Sequence, residues 1–417
     1  MKQSISPLEK IFAVISLILF SQGFFPIIIG GDNFEGGDID SPLLRIIFIL
    51  IYAITIFLLT FRWQRTIAFL GTNVWFLFLI CLAIISVSWS SIPDIAFRKM
   101  VALVGTTIFG IYIASSYDYE EQLKVYCWVF GFSIIFSLLF VIAAPQYGIM
   151  NTAAISGAWR GIYPHKNGLG ASMFISFMAF YFLSKEQKKY RLLLQIFCLL
   201  SVILTYFSES ATSLMSILFI FALSQGLKHL SLRDKRSVLL ILLFLIVIFS
   251  VQFLLLINFN TFLSVNDKDV TLSGRTVLWK SLWQFIQQKP ILGYGYGSFF
   301  SGVHRQTDLL WKVHNWSPVH AHNGYIQVLL HFGFVGLIPL VVGYIYSLFT
   351  SLYKYLAYKS SQMLWIFLYL FYTVCLNFTE VSFFSTNSIT WIVTVASIYS
   401  LKNKIVAPKP KVATSTS

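Results

Sequence analysis

Long apolar runs constrain this chain more than any other feature. The hydrocarbon core of a bilayer is about 30 Å thick and takes roughly 17–25 apolar residues of helix to cross. About twelve such runs can be read, at residues 11–30, 42–61, 68–89, 99–116, 123–144, 167–184, 190–207, 211–227, 237–257, 323–349, 362–378 and 386–401. Inside hydrocarbon every backbone N–H and C=O must find its partner within the protein, which helices achieve segment by segment. Composition agrees, with 57% hydrophobic, 18% aromatic and only 11% charged residues, against roughly 25% charged in soluble domains. The expected fold is all-α, a polytopic membrane protein of about twelve transmembrane helices. The connection at 208–210 is short enough that the two runs it joins also allow a re-entrant hairpin.

Charge then orients the chain. The first run follows Lys2 and Lys10 without a small-x-small cleavage site, so it reads as an anchor and not a removable signal peptide. With both termini cytoplasmic, the inner connections collect most of the 30 Lys and Arg, as the positive-inside rule requires. The acidic stretch "GGDNFEGGDIDSP" falls outside. One inner segment, "SYDYEEQLK", is net acidic and fits poorly. The net charge of +14 is thus an orientation signal, and no nucleic-acid partner is called for. The four cysteines, Cys81, Cys127, Cys198 and Cys375, all lie in apolar runs, so neither a disulfide framework nor a zinc cluster is indicated.

Residues 1–257 are expected to hold helices one to nine, 258–322 a long outer loop between helices nine and ten, 323–401 helices ten to twelve, and 402–417 a cytoplasmic tail. Long loops usually have a function. In this one, Leu278, Leu282, Phe285 and Ile286 recur at helical spacing from Thr276 to Gln288, which predicts an amphipathic helix lying at the membrane surface. Pro290 ends it, and Gly293, Gly295 and Gly297 make a turn-rich stretch that can bring backbone close to a ligand.

Polar groups gather at the helix ends assigned to the outer face: Arg98, Arg160, His165, Lys166, Ser208, Ser210, Arg275, His320, His322 and Asn323. Snorkelling to the interface is the bland explanation for any one of them. It is weaker for Arg160, Arg275 and His322, which sit in the glycine- or turn-rich contexts "GAWRGIYPHKNGLG", "SGRTVLW" and "HAHNGY". A guanidinium fork suits diphosphate oxygens and stays charged in any surroundings. A histidine titrating near neutrality can take a proton from a hydroxyl nucleophile. Together they read as transfer from a lipid diphosphate to an alcohol. At 100° per residue, Gly333 and Gly336 lie within about 20° and 40° of His322 on a continuous helix, so that face should point into the bundle. His331 falls on the opposite side and reads as structural, while His320 precedes the helix and is placed to orient its neighbour or contact substrate. Ser210, with Ser208 and Thr212, offers either sugar contacts or ordinary helix-end bonding. Glu380 is a candidate buried carboxylate. The D-x-D pair Asp267 and Asp269, with His304 and His314, is the only hint of a metal, and the spacings match no compact site, so neither metal nor cofactor is expected.

The ordered motifs "RGIYPHKNGLG", "SGRTVLW", "PILGYGYGSF" and "HAHNGYIQVLLHFGFVGL" resemble those of the O-antigen ligase and polymerase family, membrane glycosyltransferases that use polyprenyl-diphosphate-linked glycans. The last shows the family pattern of His, Asn, nine residues, Gly, two residues and Gly, here His322, Asn323, Gly333 and Gly336. The resemblance implies a GT-C-like fold in the bacterial inner membrane with its catalytic cavity facing the periplasm. It also implies that Arg160 and Arg275 bind the diphosphate while His322 acts as general base, with inversion and no required metal. His320, Asn323, His165, Lys166, Arg98, Ser210 and Glu380 are the expected substrate contacts, His165 and Lys166 being departures from commoner members. The expected activity is polymerisation of lipid-linked oligosaccharide repeats into O-antigen or exopolysaccharide. The alternatives are ligation of the glycan to lipid A core or a protein hydroxyl, and a twelve-helix transporter or flippase. Implied partners are the polyprenyl-diphosphate donor, a glycan or lipid A core acceptor, membrane lipids and a chain-length regulator.

Overall fold

The structure is a computed structural model that describes residues 5–25, 41–152, 155–230, 275–301 and 318–402. Its main helices are α1 (Pro7–Phe20), α2 (Pro42–Thr60), α3 (Trp63–Leu70), α4 (Val74–Ile85), α5 (Pro93–Ser116), α6 (Tyr119–Ala143), α7 (Lys166–Glu186), α8 (Arg191–Phe207), α9 (Ala211–Gly226), α10 (Arg275–Gln288), α11 (Gly324–Tyr358), α12 (Ser361–Leu376) and α13 (Ile389–Ser400). An antiparallel hairpin of β1 (Ile149–Thr152) and β2 (Ile155–Trp159) precedes α7. Local chemistry sets many of the starts. Proline stands at the first turn of α1, α2 and α5, where its missing N–H costs nothing. The Asp118 carboxylate accepts the Glu121 N–H at 3.1 Å to cap α6.

Seven helices among the described residues are long and apolar enough to cross a bilayer, or eight if α3 and α4, bent by 93°, form one broken span. The protein is therefore a multi-pass, mostly helical membrane protein, but twelve straight spans are not what it shows. The run at 237–257 and most of the outer loop lie outside the described residues. In the first run, α1 stops after 14 residues, where Gln22 and Phe24 turn the chain through positive φ. The run at 68–89 breaks because Thr72 Oγ1 takes the Phe69 carbonyl, while Asn73 Nδ2 reaches Thr72 Oγ1 at 3.0 Å and the Ile398 carbonyl at 3.3 Å. Conversely, α11 runs to Tyr358, beyond the expected 349. The 208–210 connection joins two separate helices of spanning length, with Glu209 in the left-handed region. The apolar helices α12 and α13 are shorter, at 16 and 12 residues.

Aromatic rings and single hydroxyls hold the bundle together. Phe76 stacks on Trp391, whose Nε1 donates to Thr107 Oγ1 at 3.0 Å, tying α13 to α5. The Ser176 and Ser201 hydroxyls bond at 2.8 Å between α7 and α8. Such small polar contacts suit helices in lipid, where apolar contact with a neighbour gains little over contact with acyl chains.

Charge separates the two ends of the bundle. At one end Arg62 bonds both carboxylate oxygens of Glu9, at 2.5 and 2.9 Å, and Ser116 Oγ at 3.1 Å. Lys10 and Lys124 pair with Glu121 at 2.9 and 3.1 Å. The acidic segment that fits the positive-inside rule poorly is thus the counter-charge for basic residues at its own end.

Candidate functional site at the opposite helix ends

Two motifs read separately in the sequence are one interlocked unit. Gly333 breaks α11 with φ 59 and ψ −155. Since a helical N–H bonds the carbonyl four residues back, the break parts Phe334 and Val335 from Leu330 and His331. Residues 290–295 fill the gap. Phe334 N–H donates to the Pro290 carbonyl at 2.8 Å and Val335 N–H to Ile291 at 3.2 Å; Leu330 O accepts from Tyr294 N–H at 2.7 Å and His331 O from Gly295 N–H at 3.1 Å. Four backbone groups that would otherwise be orphaned are satisfied. A Cβ on Gly333 would lie 2.3 Å from the Ile291 carbonyl, and one on Gly293 (φ 63) 2.6 Å from Leu330 O, so the approach requires glycine on both sides.

This corrects three expectations. The helical phase counted from His322 to Gly333 and Gly336 does not run through the break, and the space above Gly336 is filled by Phe332 rather than by another helix. Gly293, Gly295 and Gly297 bring backbone close to α11, Ser86 and Lys99 respectively, not to a ligand. The amphipathic α10 does not lay its apolar stripe on the membrane surface. Leu278, Leu282 and Ile286 are buried against Leu329, Leu330, Tyr294 and Phe299.

That docking brings Arg275, the first residue of α10, to the end where His320, His322 and Asn323 precede α11. Trp279 Nε1 donates to the Ala321 carbonyl at 2.8 Å and Gln327 Oε1 accepts Ala321 N–H at 2.9 Å, pinning the histidine segment between the helices. His322 has φ 49, a left-handed conformation uncommon outside glycine. It sets the His320 and His322 rings 4.0 Å apart, with His322 N–H donating to His320 Nδ1 at 3.2 Å. Asn323 caps α11, its Oδ1 accepting from Tyr325 and Ile326 N–H.

The turn after α12, residues 377–380, faces all of these segments. Arg275 Nη1 donates to the Thr379 carbonyl at 2.6 Å, and Nη2 lies 3.4 Å from Glu380 Oε1. Asn323 Nδ2 reaches the Phe378 carbonyl at 3.3 Å, and Gly324 N–H donates to the Asn377 carbonyl at 2.7 Å. From the start of α7, Asn167 Nδ2 comes within 3.5 Å of Glu380 Oε1. His165 caps α7 by accepting Asn167 N–H on Nδ1 at 3.1 Å, and Lys166 pairs with Glu209 at 3.5 Å.

Burial and positive neighbours shape the electrostatics. His322 is pushed down from 6.5 to about 2, first by burial and then by His320, Arg275 and His165. Burial lowers His165 as well, helped by Lys166 and Arg160. Glu380 is raised by burial, with Arg275 opposing. A neutral imidazole beside fixed cations can accept a proton while the cations hold an anion.

The remaining sequence candidates fare unevenly. Arg160 is buried and donates through Nε to the Tyr147 carbonyl at 2.8 Å, close enough to His165 for its charge to be felt there. Arg98 stands exposed on α5, and no contact among the described residues joins it to the cluster. Ser210 is buried, bonds Ser213 Oγ at 3.0 Å and fills the space above Gly170, the ordinary helix-end role. His331 pairs with Gln327 at 2.8 Å inside the core, as the sequence suggests. Among the described residues no three of His, Cys, Asp and Glu gather as a metal site; Asp267, Asp269, His304 and His314 lie outside them. Asn167, Thr379 and Asn377 were not singled out in the sequence. Only Asn167, inside the "HKN" stretch, carried a signal there.

Comparison with known proteins converges on these elements. Residues 196–341 match the O-antigen ligase family, a span that takes in Arg275, His320, His322, Asn323 and the interlocked glycines but stops short of the 377–380 turn. Over 323 residues the chain is 21% identical to the exopolysaccharide production protein ExoQ of Rhizobium meliloti (strain 1021), covering 73% of this chain and 71% of that protein. Both findings agree with the motifs: this multi-pass membrane protein is similar to the O-antigen ligase family over residues 196–341 and to ExoQ over most of its length.

Proposed function

We propose that this protein polymerises polyprenyl-diphosphate-linked oligosaccharide units into a polysaccharide. The reading places it in the bacterial inner membrane, with both termini cytoplasmic and residues 258–322 forming the periplasmic part of the site. One observation carries it most: α10 docked on α11 sets the Arg275 guanidinium and the paired His320 and His322 rings at the same helix ends.

In this reading the acceptor hydroxyl gives its proton to His322 as its oxygen attacks the anomeric carbon of the donor sugar. The bond from that carbon to the diphosphate oxygen breaks, and the configuration inverts. Arg275 and Arg160 stabilise the charge that develops on the leaving diphosphate. His320 supports His322 through its ring contact, and Lys166 adds positive potential beside the phosphates while the neutral His165 caps α7. Asn323 acts as the cap that fixes the histidine segment. The chemistry calls for no metal.

Ligation shares the donor and differs only in the acceptor. The family match bears the name of a ligase and the ExoQ relative is named for exopolysaccharide production, so the acceptor is what must be tested. Purified protein given a lipid-diphosphate oligosaccharide alone should yield longer lipid-linked chains. Product formed only after lipid A core or a protein acceptor is added would replace polymerisation with ligation.

A further inference from the structure

The 377–380 turn lies outside the family match, yet three motif segments are tethered to it. Its own construction is rigid. The Asn377 side chain is wholly buried; its Oδ1 accepts Ser382 and Phe383 N–H at 2.9 and 3.1 Å, and its Nδ2 donates to the Thr373 carbonyl and Ser382 Oγ, both at 2.6 Å. The Glu380 side chain meets the guanidinium of Arg275, and its Oε1 also faces Asn167 from α7. We propose that Glu380 is a positioning residue for glycosyl transfer, acting through Arg275 and not on the sugar. The proposal rests on the reading of Arg275 as a diphosphate ligand.

The geometry explains why a carboxylate belongs there. A guanidinium carries five N–H donors; the Thr379 carbonyl and Glu380 engage one on each terminal nitrogen, which fixes the plane and leaves the others for phosphate oxygens. Arginine otherwise swings on a long side chain whose ordering opposes binding. A fork already held in place loses less freedom when the diphosphate arrives, and small misplacements of a catalytic group cost rate steeply. Glu380 also lies against the guanidinium that the diphosphate must approach. Removing its charge therefore does not weaken attraction for an anion.

Those two effects give the position a distinctive kinetic signature. Glu380→Gln keeps the shape and loses the charge, and Glu380→Ala removes the group. In full-length protein turning over a lipid-diphosphate oligosaccharide, both should lower kcat about tenfold or more while donor KM changes less than about threefold. In an Arg275→Lys background, where the planar fork is gone, the same substitutions should change kcat by less than about twofold, because residues acting as a unit are not additive. Thermal unfolding of Glu380→Gln within a few degrees of wild type separates positioning from loss of fold. Unchanged kcat in Glu380→Gln, or losses that multiply with Arg275→Lys, would overturn the proposal. His322→Ala and Arg275→Lys serve as controls: full turnover in both rejects the diphosphate reading itself, whereas their loss with an unaffected Glu380→Gln rejects only the positioning role.

Discussion

At the scale of the residue, the proposed site keeps one imidazole neutral beside the Arg275 guanidinium. Burial and the neighbours His320, Arg275 and His165 hold His322 far below its usual 6.5. Because the shift is downward, the ring stays unprotonated well into acid. kcat/KM, which follows the free protein, should therefore stay level as pH falls from 8 to about 5. A bound diphosphate brings negative charge beside Arg275 and His322, which raises the pKa of His322 in the complex. The acid limb of kcat should consequently lie at higher pH than that of kcat/KM; a limb at 6.5 in kcat/KM would contradict the burial argument. His322→Ala should lower turnover by roughly 10²- to 10⁴-fold, the usual contribution of a general base. His322 and Arg275 were legible in the sequence because each sits in a short motif whose residue types match one chemistry. Thr379 and Phe378 were not, since they act through backbone carbonyls, and every residue has one.

At the scale of the element, the break in α11 decides the geometry. Periodicity along 323–349 assumed an unbroken helix, and the pattern of apolar residues on either side of Gly333 gives no sign that 290–295 enters between them. What the sequence did carry was the glycines, whose necessity becomes visible only when Ile291 and Leu330 are seen 2.3 and 2.6 Å from the places where Cβ atoms would stand. Gly333→Ala forces a side chain into positive φ and into that contact. It should cost at least about 1–3 kcal/mol, read as a lowered Tm in detergent together with lower activity, and an unchanged Tm would show that the two segments do not interlock. The cap of the same helix is milder. Asn323→Ala should cost about 1 kcal/mol, with Asn323→Ser restoring most of it.

At the scale of the whole molecule, the ion pairs named above among the described residues lie toward the two ends of the helix bundle. The Glu9 and Arg62 pair and the Lys10 and Glu121 pair were invisible as pairs in the sequence, because partners more than fifty residues apart leave no local pattern. The twelve runs do not all form long straight spans among the described residues, for a related reason. An apolar run records affinity for a nonpolar environment, while bends at Thr72 and Asn73 or a stop at Phe20 depend on side-chain contacts that hydropathy does not weigh. Glu9→Ala strands the largely buried Arg62 guanidinium and should destabilise the fold by roughly 3–5 kcal/mol, measured by unfolding, with activity per folded molecule retained. Single cysteines placed at Lys124 and Lys166 should be labelled from opposite sides of intact membranes, the first from the cytoplasm. Labelling of both from one side would overturn the assignment of the site to one face.

Chemistry at that face is tested most directly by single-turnover release of polyprenyl diphosphate from a lipid-linked oligosaccharide, followed together with chain growth in EDTA. Wild-type protein is expected to release one diphosphate lipid for each glycosidic bond formed, with EDTA without effect, and the Arg275→Lys and His322→Ala variants to fall by roughly 100-fold or more while inserting normally. Release and growth at the wild-type rate in both variants would contradict the role assigned to these residues.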